Sequence, residues 1–151
     1  MTVDSMGRRN RMAIVEPELI SPFVKDLVST LQNFGYSSEV SGQLRGISGT
    51  AHKFDIVSKR EGYTIVMEML PTLNQESIAL KILELRVKSW DCSPDLVVIV
   101  SASHLNDTGM LKEFGSLYNL AVVEGIDQEE IRGKLEDALA SLDEEQSIAK
   151  Q

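Results

Sequence analysis

Lys53-Phe-Asp55-Ile-Val-Ser-Lys-Arg60-Glu61-Gly62-Tyr63-Thr-Ile-Val-Met-Glu68-Met-Leu70 is the stretch on which the reading of this chain turns. β-Branched and aromatic residues fill His52 to Ser58 and Tyr63 to Leu70, the pattern of two strands joined by a short turn. With Glu61-Gly62 as a two-residue loop, Arg60 faces Tyr63, Val57 faces Val66 and Asp55 faces Glu68. Side chains alternate along a strand, so Asp55, Val57, Val66 and Glu68 share one face with Lys53 and Leu70. Phe54, Ile56, Ile65, Met67 and Met69 then fill the other face as core. Two carboxylates set opposite each other repel, at a cost of a few tenths to about 1 kcal/mol. Folding gains nothing from such a pair, whereas Mg²⁺ takes one or two carboxylates and keeps several waters. The competing reading is a longer loop, a slipped register and two solvated acids, and Glu61 is an unusual first residue for the tight loop.

Upstream, Ser21-Pro22 reads as helix cap and first helical residue, and Phe23, Val24, Leu27, Val28, Leu31 and Phe34 follow at helical spacing. Gly35 stands where a left-handed stop belongs. Tyr36 to Arg45 reads as a polar strand, and Gly46-Ile-Ser-Gly-Thr-Ala51 as a turn-rich break. Downstream, Pro71 ends the second hairpin strand. Thr72 or Asn74 can cap a helix whose Ala79, Ile82, Leu83, Val87 and Trp90 form a stripe. Asp95 to Val100 is an apolar run suited to a strand buried on both faces. Asp107 opens a helix with Leu111, Phe114, Leu117 and Tyr118 inward, and Leu120 to Val123 is another buried strand. Ile131, Leu135, Ala138, Leu139 and Leu142 mark the last helix. The order α-β-β-β-α-β-α-β-α predicts an α/β domain of three layers. Its mixed five-stranded sheet combines an antiparallel meander with parallel strands, and helices cover both faces. The expected organisation is a flexible segment over 1–11, one domain over 12–143 and a polar, acidic tail over 144–151.

Gly-x-x-Gly-x-x-His-x-x-Asp over residues 46–55, the hairpin and then Glu68, set between a first helix and a crossover helix, resembles the PD-(D/E)xK nuclease superfamily. The likeness runs from about Ser21 through Val123. It implies a restriction endonuclease-like fold in which Asp55 and Glu68 bind Mg²⁺ or Mn²⁺, with DNA phosphodiester hydrolysis as the activity. Family members place a lysine two residues after the Glu; here that residue is Leu70. Either catalysis is lost or the ammonium comes from elsewhere. Lys53, across from Leu70 in the hairpin register, is the first candidate, so the expected catalytic set is Asp55, Glu68 and Lys53. Lys81 and Lys88 on the crossover helix are weaker ones.

Composition narrows the alternatives. The 151 residues are 42% apolar and 25% charged, as in a globular domain. A single cysteine, Cys92, excludes an internal disulfide framework, and with two histidines it leaves few ligands for transition metals. No apolar run is long enough to span a membrane, and a cytoplasmic protein is expected. The net charge of −8 is concentrated after residue 123, where nine acids stand against three bases. The nearly neutral remainder is a poor match for non-specific DNA binding, although Arg8, Arg9 and Arg11 could touch nucleic acid. Gly46–Gly49 is best explained as a turn, His52 as a half-buried structural residue and His104 as a loop residue. The crossover helix carries more leucine than one sheet face requires, which suggests a homodimer. Two other functions stay open: an inactive nuclease-fold module that binds nucleic acid or protein, and an unrelated α/β ligand-binding domain.

Overall fold

The computed structural model describes residues 21–70, 75–102, 105 and 108–149. The predicted N-terminal segment with its arginines, the caps Thr72 and Asn74, Pro71, His104 and Asp107 lie outside the described residues. The elements are α1 (Pro22–Asn33), β1 (Ser37–Val40), β2 (Gln43–Arg45), β3 (Ala51–Lys53), β4 (Ile56–Arg60) and β5 (Tyr63–Leu70), followed by α2 (Gln75–Cys92), β6 (Leu96–Ser101), α3 (Thr108–Leu117), β7 (Leu120–Glu124) and α4 (Gln128–Ala149). Five strands form one mixed sheet in the order β1-β4-β5-β6-β7. The β1–β4 and β4–β5 pairs are antiparallel, and the β5–β6 and β6–β7 pairs are parallel. The fold is the three-layer α/β arrangement expected, with four helices about the sheet.

Each sheet face has its own core. On one, Leu27 and Leu31 of α1 and Ile131, Leu135, Leu139 and Leu142 of α4 bury Ile56, Ile65, Met67 and Val98. On the other, Ile82 and Leu85 of α2 and Phe114 of α3 cover Val57, Val66, Leu70, Val97 and Ile99. Because β6 is an interior strand, parallel to both of its neighbours and covered on both faces, all six of its residues are buried. Helix α1 begins as its sequence requires: Ser21 Oγ accepts from the Val24 amide at 3.1 Å and Pro22 occupies the first turn.

The hairpin register is the expected one, with Arg60 opposite Tyr63 and Val57 opposite Val66. Glu61 takes φ +45° and Gly62 φ +80°, so the tight loop forms although its first residue is a strained glutamate.

Four expectations about the fold need correction. The strands predicted over 36–45 and 52–58 each break in two. At Ser41, φ +55°, the chain turns out of the sheet, and at Phe54-Asp55 it returns. The Ser41 amide bonds the Asp55 carbonyl and the Phe54 amide bonds the Gly42 carbonyl, closing the two breaks on each other. The excursion is a separate two-stranded ribbon, β2–β3, with Gln43 opposite Lys53 and Arg45 opposite Ala51. The break also resets the alternation, so Phe54 is buried under α2 with Val57 and Val66 and not beside Ile56. Helix α2 also turns differently from its predicted stripe, whereas α3 keeps Leu111, Phe114 and Tyr118 inward as expected and departs only at Leu117. Ile82 and Leu85 face inward while Leu83, Val87, Trp90 and Leu117 remain exposed. Helix α4 continues to Ala149, so residues 144–149 belong to it and not to a tail.

Candidate functional site

Glu68 stands in the middle strand of the sheet, between Val66 and Leu70 on the face under α2, and is 1% exposed. A buried carboxylate needs a partner, because desolvation penalises its charge. Lys88, about one turn from the end of α2, supplies it: Lys88 Nζ donates to Glu68 Oε1 at 2.6 Å and to the Lys53 carbonyl at 2.5 Å. The ammonium also lies 4.6 Å from the centre of the Phe54 ring, a cation–π contact. Asp55, in the bend where the ribbon rejoins the sheet, accepts the Met69 amide on Oδ2 at 2.8 Å. This bond lies just past the last ladder pair, Ile56 with Met67, and brings the Asp55 carboxylate beside Glu68.

Burial first, and the neighbouring Asp55 carboxylate second, push the Glu68 carboxyl up to about 7, with Lys88 pulling the other way. Glu68 Oε2 is buried and has no hydrogen-bond partner. Such an atom is satisfied by a proton or by a cation.

Ala51, His52, Lys53, Phe54, Asp55 and Glu68 together with Lys81, Glu84, Val87 and Lys88 line an open cleft of about 650 Å³ above this pair. The predicted Asp55, Glu68 and Lys53 thus meet in one place, but with a different division of labour. Lys53 belongs to β3 and is paired with Gln43, so it does not stand across from Leu70. The ammonium that reaches Glu68 is that of Lys88, and Lys53 contributes its main-chain carbonyl. Leu70 is a core residue, 5% exposed.

A second carboxylate holds the ribbon in place. Asp91, near the end of α2, accepts from the Ser48 amide at 3.0 Å, from Ser48 Oγ at 2.6 Å and from His52 Nε2 at 2.8 Å. The Ser48 bonds, with a further contribution from His52, hold the Asp91 carboxyl below the usual carboxylate range. A Cβ on Gly46 would stand 2.0 Å from Asp91 Oδ2, so only glycine allows this approach. Residues 46–49 are therefore a turn, as expected, and the half-buried His52 is a structural residue. Asp91 was not among the predicted site residues: on a helix surface its sequence context is that of any solvated acid.

Among the described residues, no group of three or more His, Cys, Asp or Glu side chains gathers as a metal cage. The donor set present is Asp55 and Glu68 with the unpartnered Glu68 Oε2. That set fits a hard divalent cation, which keeps most of its shell as water, better than it fits a transition metal.

No helix among the described residues is long and apolar enough to cross a membrane. No family model matches the chain, and no curated protein matches it. Among solved structures, it is similar to a protein of unknown function, AF1548, with a TM-score of 0.49 and 11% identity. The match covers 68% of this chain and 57% of that one, so the chain spans little more than half of that protein's length.

Proposed function

We propose that this chain is a cytoplasmic, metal-dependent phosphodiester hydrolase of the PD-(D/E)xK type, acting on DNA, in which Lys88 takes the place of the strand lysine. The observation that carries the reading is the 2.6 Å contact between Lys88 Nζ and Glu68 Oε1, made beside Asp55 at the base of an open cleft. Folding alone has little reason to bury a carboxylate next to a second one.

In this reading Asp55 and Glu68 hold Mg²⁺ or Mn²⁺. When bound, the ion supplies Lewis-acid polarisation of the phosphate and a water of lowered pKa. Lys88 has three N–H donors, two of them committed to Glu68 and the Lys53 carbonyl. The third is available to orient the attacking water and to stabilise charge developing on the phosphate. Lys53, which lines the cleft, adds positive potential for a phosphate backbone, whereas Lys81 is paired there with Glu84.

The test pairs binding with turnover. Mn²⁺ binding is followed by calorimetry, and cleavage of nicked, branched and single-stranded DNA is measured on the same preparations. Asp55→Asn should abolish both. Lys88→Met should lower cleavage by at least about 100-fold, while Lys53→Met changes it only a few-fold. Metal binding without cleavage of any DNA would point to an inactive nuclease-fold module, and absence of both would end the reading.

A further inference from the structure

Helix α2 has two apolar faces. Ile82 and Leu85 are in the core, while Leu80, Leu83, Val87 and Trp90 stand outward at spacings of three, four and three residues. That spacing is the narrow seam by which one helix packs on another. Trp90 is 67% exposed, Leu80 65% and Val87 63%, and Leu117 of α3 extends the strip. Beside it lies a largely apolar groove of about 570 Å³ walled by Leu83, Val87, Trp90, Leu117 and Tyr118, with Arg86 as its one charged residue. These side chains present on the order of 500 Å² of apolar surface, near the upper limit for a monomer in water.

We propose that this face is the interface of a homodimer, a second copy packing its own α2 seam against the first about a two-fold axis. Two arguments select the same chain as the occupant. The first is charge. Helix α2 carries three acids and three bases and α3 one of each, whereas α4 carries seven acids against two bases. Along the seam the charges are closed within one molecule, Arg86 on Glu113 and Lys81 on Glu84. Two chains of net charge −8 therefore meet through α2 without a like-charge clash at the seam, with their acidic α4 faces turned away on the far side of each sheet, where the remaining repulsion is smallest. A strongly basic or acidic partner finds no counter-charge there. The second is area. Two such faces bury on the order of 1,000 Å² together, the size at which specific interfaces begin. A two-fold contact also matches apolar seam to apolar seam over its whole length. Val87 lines the candidate cleft as well as the groove, so the seam adjoins the cleft in each copy.

Trp90 is the only tryptophan, so its emission reports on this face directly. Sedimentation velocity on the full chain, across micromolar to sub-millimolar concentration, is combined with tryptophan fluorescence. The expected result is a monomer–dimer equilibrium with emission shifting to the blue as dimer forms. The double variant Leu83→Glu/Val87→Glu should be monomeric, with unchanged far-ultraviolet circular dichroism and red-shifted emission at every concentration. Trp90→Ala should weaken association by at least tenfold. Three results overturn the proposal. One is a dimer that survives the double variant. Another is a wild-type monomer with blue emission, which means the chain's own residues cover the face. The last is a wild-type monomer with red emission, which leaves the face to a different partner.

Discussion

Lys88 Nζ lies 2.6 Å from Glu68 Oε1, so the cation of the candidate site comes from a helix and its carboxylate from the central strand, twenty residues earlier in sequence. The pair is nearly closed to water on the carboxylate side and partly open on the lysine side, with side-chain exposures of 1% and 13%. That asymmetry governs how the site responds to pH, to substitution and to metal.

Stability should fall as pH rises from about 4.5 to about 7. Below the ordinary glutamate value of 4.5 folded and unfolded chains both hold the Glu68 proton. Between 4.5 and about 7 only the folded chain keeps it, and above 7 neither does. The folded state binds more protons in that window, so raising the pH favours unfolding, by about 3 kcal/mol in all. Urea unfolding at pH 5 and pH 8 measures the difference, and Glu68→Gln should remove most of it. Divalent metal competes with the same proton, so Mn²⁺ affinity should climb with pH up to about 7 and then level off.

Lys88→Met should raise the Glu68 titration midpoint further, because its one lowering neighbour is gone. Carbon-detected NMR of the glutamate carboxyls would show it. The same change strands Glu68 Oε1 and the Lys53 carbonyl without their donor, at a cost of roughly 1–3 kcal/mol. Lys53→Met leaves the carbonyl in place and should leave the midpoint where it is.

Asp91→Asn should loosen the β2–β3 ribbon without unfolding the sheet. The expected signature is amide hydrogen exchange at Ile47 and Ser48 at least tenfold faster, with Val66, Val97 and Val98 unchanged. Acid should do the same to the native chain. The Asp91 carboxyl is held low, so its contribution is complete above the ordinary carboxylate range and is lost as the pH falls through the lowered value.

Gly46→Ala should displace the ribbon from α2. The added methyl would overlap the Asp91 carboxylate, against which the loop is pressed. Overpacking of this kind costs about 1–3 kcal/mol. A thermal shift in Gly46→Ala that is largely absent in Gly49→Ala, whose added carbon meets nothing within 4 Å, would separate this clash from a general loss of loop flexibility; the positive φ of Gly49 gives that control a small penalty of its own.

The sheet was legible in the sequence because its signals are local. The Tyr63–Leu70 pattern, the turn at Glu61-Gly62 and the apolar run before Ser101 each declare a strand, and the loop length alone fixed Val57 opposite Val66. The ribbon was not legible, since nothing in Gln43–Lys53 distinguishes a strand that leaves the sheet from one that stays. The decisive event is a left-handed Ser41, a conformation that no side-chain periodicity signals. Asp55 and Glu68 could be found because Glu68 lies in the hairpin and Asp55 immediately before its first strand. Lys88 could only be ranked below Lys53, because a lysine on a helix looks the same whether it meets water or a buried acid. Its role depends on the rotation of α2, which the stripe of Leu83, Val87 and Trp90 misstated by turning an exposed face inward.

Leu70 closes the core beneath α2, and this makes positions 70 and 88 mutually constraining over evolutionary change. Leu70→Lys alone would crowd a second ammonium under a helix that already supplies one, while losing Lys88 first would leave Glu68 with none. A lineage moving between the two arrangements must pass through one of these impaired intermediates. Under the proposed function Leu70 and Lys88 should be kept together or exchanged together, and covariation of these two positions among related chains would record that coupling.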